Sequence, residues 1–164
     1  MLPKIMYDDY FNEEDKIVKG LNNICVSELG GLNRYKDKNI ITNFTFNTTN
    51  SISLNKLFDN NVNKAIISIE LNKEKIEEIA SDKVIVNIYG RVPVMIMDYC
   101  PINLQKEGEC GDCRKCRSGN YLLSDELERK FPLLYQGNNK IAMYSNKPIN
   151  LLDKVEELKD INIS

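Results

Sequence analysis

Hydrophobic and polar positions along the first half of the chain alternate between two spacings. Residues 8–20 set Tyr10, Phe11, Ile17 and Val18 among Asp, Glu and Lys at helical intervals, which predicts a short amphipathic helix ending near Gly20. A β-rich run follows at 24–28 (ICVSE), closed by Gly30 and Gly31, and the polar segment LNRYKDKN suits a helix or a connecting turn. A second run at 40–46 (IITNFTF) leads to Leu54, Leu57 and Phe58 at helical spacing. Then come a third strand at 65–69 (AIISI), a charged amphipathic helix at 71–80 (LNKEKIEEIA) and a fourth strand at 84–88 (VIVNI). The unit repeats about every 20 residues.

Short apolar strands alternating with short helices argue for parallel βαβ units, because parallel neighbours require a crossover that covers the sheet. Four such units are too few to close an eight-stranded barrel, which typically takes about 250 residues. The expected fold class is therefore α/β, a partial (β/α) barrel or a small open sheet. Beyond it, residues 94–97, 120–124 and 141–144 read as short β pieces around a cysteine-rich loop, and 151–158 (LLDKVEEL) as a closing helix. The division expected from this pattern is 1–97 for the partial barrel and 98–164 for the cysteine-rich segment.

Composition narrows the chemistry. A length of 164 residues with 42% hydrophobic content suits one compact domain and an appendage. The formal net charge of −2 supplies no global basic field toward nucleic acid or anionic membrane, so any RNA contact is local. Histidine is absent, which removes serine–histidine and cysteine–histidine nucleophile pairs and histidine metal sites. Carboxylates, thiolates, Tyr, Lys, Arg or a metal must do the work. No run approaches the roughly 20 apolar residues of a membrane span, and the acidic start MLPKIMYDDYFNEED does not resemble a secretory signal. The expectation is a cytoplasmic protein.

In a reducing compartment, an odd and clustered set of cysteines points to metal or redox use. Cys110, Cys113 and Cys116 read C-x-x-C-x-x-C, and Cys100, at the end of an apolar run, is placed to supply a fourth thiolate. Such a closed set suits zinc or a four-iron four-sulfur cluster, and unligated thiols remain a third reading. Three thiols at this spacing stand closer to cluster-binding sequences than to zinc ribbons, which pair two separate knuckles. Arg114, Lys115 and Arg117 among the sulfurs would offset thiolate charge, or simply form a solvated loop. Cys25 stands apart on an apolar segment as a buried, inert thiol.

Parallel α/β sheets present their functional side chains at the carboxyl ends of the strands. The pattern puts Glu28, Asn47, Glu70, Tyr89 and Arg91 there. Glu28 and Glu70 are candidate acid and base, Arg91 a candidate clamp for a carboxylate or phosphate, and Asn47 and Tyr89 candidate substrate contacts. The plainer reading has each Glu capping the helix that follows it and Arg91 in an ordinary ion pair.

The phrases YGRVPVM, DYCPI, GNYLLSDELERKFPL and YSNKPINLLDKVEEL, preceded by SELGGL, NFTFNTTNS and ISIELNKEKIEEI, resemble the collagenase-like peptidase family of unknown catalytic type, U family thirty-two. The likeness covers most of residues 24–158 and is most specific at YGR, YCP and FPL. It implies the C-terminal half of a (β/α) barrel, a thiolate metal site and peptide-bond hydrolysis. The resemblance also implies an alternative, an iron–sulfur-dependent hydroxylase acting on RNA or a quinone precursor, and the residues leave open a reading of a different class, a non-catalytic scaffold or binding module with structural zinc. Two departures stand out: the family's histidine-alanine-cysteine phrase is missing, and where it tends to place a cysteine after FP this chain has Asn138 and Asn139. Cys110 looks additional and is a candidate to fill that vacancy. A half-barrel leaves strand edges unpaired, so either a partner polypeptide carrying the missing half or self-association is expected.

Overall fold

The computed structural model describes residues 8–102, 119–137 and 140–163. They divide into two compact units, residues 1–87 with 153–164, and residues 88–152. The division thus falls before residue 97, and the closing helix returns to the first unit.

The first unit begins with helix α1 (Asp8–Val18) and continues β1 (Asn23–Val26), α2 (Leu29–Arg34), β2 (Asn39–Thr42), α3 (Ser51–Phe58), β3 (Val62–Ile66), α4 (Lys73–Ile79) and β4 (Val84–Ile85). The strands pair in chain order, all parallel, as the βα repeat requires. They form an open four-stranded sheet, one of the two architectures the pattern allows. Strand register separates two faces. Ile24, Val26, Ile40, Val62, Ala65 and Val84 share one face and are buried with Val18 of α1, Leu32 of α2, Leu54 and Leu57 of α3, and Ile76 and Ile79 of α4. Cys25, Ile41, Lys64, Ile66 and Ile85 alternate onto the other face, are half-buried and lie outside that cluster. The helices therefore cover a single side.

Boundaries depart from the periodicity where side chains intervene. The run IITNFTF stops as a strand at Thr42, because Asn43 Oδ1 accepts the Phe44 N–H at 2.9 Å and starts a 3-10 turn over Phe44–Phe46. At β3 the register shifts between Ile40 and Ile41, and Asn63 Oδ1 accepts the Ile40 N–H at 2.7 Å in place of a backbone carbonyl. β4 spans only Val84–Ile85 of the expected 84–88.

Between α1 and α2, Arg34 donates to both oxygens of Asp15, Nε to Oδ1 at 2.9 Å and Nη2 to Oδ2 at 2.5 Å, while Tyr35 donates its hydroxyl to Oδ1 at 2.9 Å. The bonds from Arg34 and then Tyr35 hold the Asp15 carboxyl down to about 2. Burial, reinforced by the bond to Asp15, pushes Tyr35 up to about 12.

The second unit opens with β5 (Tyr89–Gly90), which pairs antiparallel with β10 (Ile149–Asn150). A four-stranded antiparallel sheet lies between them in sequence: β6 (Pro93–Met97), β7 (Tyr121–Ser124), β8 (Lys130–Gly137) and β9 (Lys140–Tyr144), in the order β6-β9-β8-β7. Its core joins Met97, Ile102, Leu133 and Ile141. A 3-10 turn, Leu152–Lys154, and helix α5 (Val155–Lys159) close the chain, and Lys73 of α4 meets Glu157 of α5 at 3.4 Å. No helix among the described residues is long and apolar enough to cross a membrane.

Two outcomes test this layering. Ile40→Ala should cost about 3 kcal/mol in urea unfolding, and Ile41→Ala, next to it on the other face, less than half of that. Asp15 lies lower in the folded protein than its ordinary value of 3.8, so its stabilisation is complete above that value and is lost as pH falls from about 4 to about 2. Thermal melts of Asp15→Asn should show a lower Tm at pH 6 that converges with the parent near pH 2.

Candidate functional site

The carboxyl ends of β1, β2 and β3 carry a hydrogen-bonded polar layer. Asn43, 2% exposed, donates from Nδ2 to Ser27 Oγ at 3.1 Å, and its backbone N–H reaches the Val26 carbonyl at 2.8 Å. Thr45 gives its hydroxyl proton to the Ser27 carbonyl at 2.6 Å. Ser68, also buried, donates from Oγ to Asn47 Oδ1 at 3.0 Å, and its N–H bonds the Thr48 carbonyl at 3.0 Å. These contacts join three strand ends through side chains, and burial of so many polar atoms is tolerated because each has a partner.

Glu28 lies immediately beyond β1 as the N-cap of α2. Its Oε2 accepts the Gly30 N–H at 2.6 Å and its Oε1 the Gly31 N–H. The glycine pair is what admits so close a carboxylate, since a Cβ would stand 2.8 Å from Oε2 at Gly30 and 2.9 Å from Oε1 at Gly31. Glu28, Leu29, Ser27, Thr45 and Phe46 line an open cavity of about 400 Å³ at this rim.

Asn47 is in the left-handed region with φ 50°, which Asn tolerates better than most side chains, and this turns its amide toward Ser68. Glu70 follows β3 with an exposed side chain, and its N–H reaches Ser68 Oγ at 3.4 Å. Glu28, Asn47 and Glu70 therefore share one end of one sheet, with Asn47 and Glu70 both bonded to Ser68. Tyr89 and Arg91 belong to the second unit. Tyr89 is exposed on β5, and Arg91 Nη1 donates to the Ser145 carbonyl at 2.5 Å, beside the Ser145 Oγ that accepts the Val92 N–H at 3.1 Å.

Cys100, following β6, is a half-buried free thiol packed against the core of Met97, Ile102, Leu133 and Ile141. Cys110, Cys113 and Cys116 lie outside the described residues, and among the described residues no group of three or more Cys, Asp or Glu is placed to hold a metal. Burial pushes the Cys25 thiol up, which keeps it protonated and inert. Asp125 forms the β7–β8 turn, accepting from the Leu127 and Arg129 N–H groups at 3.0 and 2.9 Å and from Arg129 Nε at 2.6 Å.

Sequence reasoning passed over Ser27, Asn43, Thr45 and Ser68. Their one signal was position: a small polar residue directly after, or within, the last apolar residues of a strand.

The family model for Peptidase family U32 matches residues 9–164. No curated protein and no solved structure matches the chain.

Removing the buried amide that joins β1 to β2 should be costly. Asn43→Ala is expected to lower stability by about 2 kcal/mol in urea titration, because it removes a buried amide together with its bonds to Ser27 Oγ and the Phe44 N–H, whereas Thr45→Val at the exposed rim should cost less than about 1 kcal/mol.

Proposed function

The chain belongs to Peptidase family U32, and from that premise we propose that it acts on peptides as a hydrolase, with the reacting site on the rim formed by the carboxyl ends of β1, β2 and β3. The family match over nearly the whole chain carries this reading. In this reading the two carboxylates take different parts. Glu28 is occupied as a helix cap on both oxygens and serves binding, while Glu70, exposed beside the Ser68–Asn47 pair, is the general base that takes a proton from the attacking water. Ser68 holds the Glu70 backbone, and Asn47, bonded to Ser68, presents its amide to the peptide. Arg91, committed to the Ser145 carbonyl, is left a structural part in the second unit.

Cys100, Cys110, Cys113 and Cys116 would hold zinc or a four-iron four-sulfur cluster. Four sulfur donors fit either, and Cys100 is a free, half-buried thiol next to an apolar core, as one ligand of a closed site requires. Zinc would supply folding energy there, and a cluster would supply electron transfer.

Gelatin or casein incubated with the protein should be degraded, and Glu70→Gln should reduce that rate at least about 100-fold with an unchanged Tm, the usual scale for losing a general base. Anaerobic purification with iron, acid-labile sulfide and zinc analysis runs beside it. Absent proteolysis with stoichiometric sulfide would transfer the assignment to hydroxylation of RNA or a quinone precursor. Absent proteolysis with zinc alone would leave a scaffold.

A further inference from the structure

We propose that the cavity at the carboxyl ends of β1 and β2 is a cation-accepting subsite that takes the lysine or arginine side chain of a bound peptide, an assignment that rests on peptide being the substrate class. Two observations independent of the hydrolytic step point there. The first concerns donors and acceptors. Thr45 has spent its hydroxyl proton on the Ser27 carbonyl, so its oxygen offers lone pairs alone. Glu28 takes one backbone N–H on each carboxylate oxygen and keeps a further lone pair on each. No lysine or arginine among the described residues pairs with that carboxylate. The capacity left on Thr45 Oγ1 and on the Glu28 carboxylate is thus acceptor capacity, and among the described residues that carboxylate has no cationic partner. Ammonium and guanidinium, which carry several donors and no acceptor, are the groups that match it.

The second observation concerns shape. Leu29, 71% exposed, and Phe46 give the same cavity an apolar wall, and about 400 Å³ accommodates a methylene stem with its charged head. An aromatic ring also favours a cation near its face. The Glu28 carboxylate, moreover, is already oriented by Gly30 and Gly31, so little side-chain freedom remains to be lost when a cation arrives. A free α-ammonium at a peptide N-terminus has the same head group, but it lacks the stem that Leu29 and Phe46 would cover.

Isothermal titration calorimetry of the full chain, using acetylated and amidated peptides identical except for a central Lys, norleucine or Glu, tests the assignment. The Lys peptide should bind at least tenfold more tightly than the norleucine peptide, with the difference shrinking at high salt, and the Glu peptide weakest. Glu28→Gln should abolish the preference. Because that variant also touches the cap of α2, its Tm is measured beside it, and Thr45→Val, which spares the cap, should cut the preference about threefold. Equal affinity for the Lys and norleucine peptides, or a preference unchanged in both variants, overturns the subsite. A norleucine peptide with a free N-terminus that outcompetes the acetylated Lys peptide overturns the side-chain assignment in favour of the α-ammonium. No binding by any peptide overturns subsite and peptide reading together, whereas gelatin degradation without a cationic preference overturns the subsite alone.

Discussion

Parallel strands cannot neighbour one another unless each connection crosses back along the sheet, and in the first unit every such crossover lands on one face. Val18, Leu32, Leu54, Leu57, Ile76 and Ile79 from four helices meet Ile24, Val26, Ile40, Val62, Ala65 and Val84 from four strands in one core. That single constraint fixes the rest. It gathers every strand's carboxyl end, and the loop after it, on the same edge, and it leaves the alternate residues of each strand, Cys25, Ile41, Ile66 and Ile85, outside the main core.

The edge so gathered has to be polar and satisfied at the same time. Loops after the strands are short, so their first residues are drawn into partly buried positions, and each buried polar atom must find a partner there. Ser27, Asn43 and Ser68 meet this need by bonding across strands, and Asn43 and Ser68 also within their own loops. A rim cross-linked in this way is stiff, which is what a binding edge requires if its geometry is to be set before a ligand arrives. Thr42 is the contrast: its Oγ1 is buried on the helix-facing side with no hydrogen-bond partner among the described residues, and nothing in the structure explains it.

Much of the first unit was legible in the sequence because its signal is periodic. Alternation located all four strands and the helical spacing of Leu54 and Leu57 located α3 within a few residues. What alternation cannot see is a side chain competing with the ladder. Asn43 ends β2 inside an apolar run, Asn63 shifts the register of β3, and Glu28 leaves the strand for the helix that follows. β8, the eight residues Lys130–Gly137, was passed over entirely, since Pro132 breaks the pattern of a strand although it sits within one, paired to Leu122. The candidate site was legible in location more than in membership. Glu28, Asn47 and Glu70 were found by placing residues at strand ends, but the buried Ser27, Asn43 and Ser68 look like ordinary strand or turn residues until their partners from other strands are seen.

The SELGGL phrase shows why a carboxylate at a strand end is ambiguous by type but not by context. A helix of six residues cannot satisfy its own first N–H groups, and without a side chain the α2 terminus would bring them unpaired to the rim of the sheet. Glu28 answers two of them, and a Cβ at Gly30 or Gly31 would make its carboxylate shift from the place it takes here. Both oxygens are thereby engaged in organising the turn. Glu70 has no such duty on its side chain. Two acids at the same rim thus differ in their surroundings, Glu28 held by the start of α2 and Glu70 exposed.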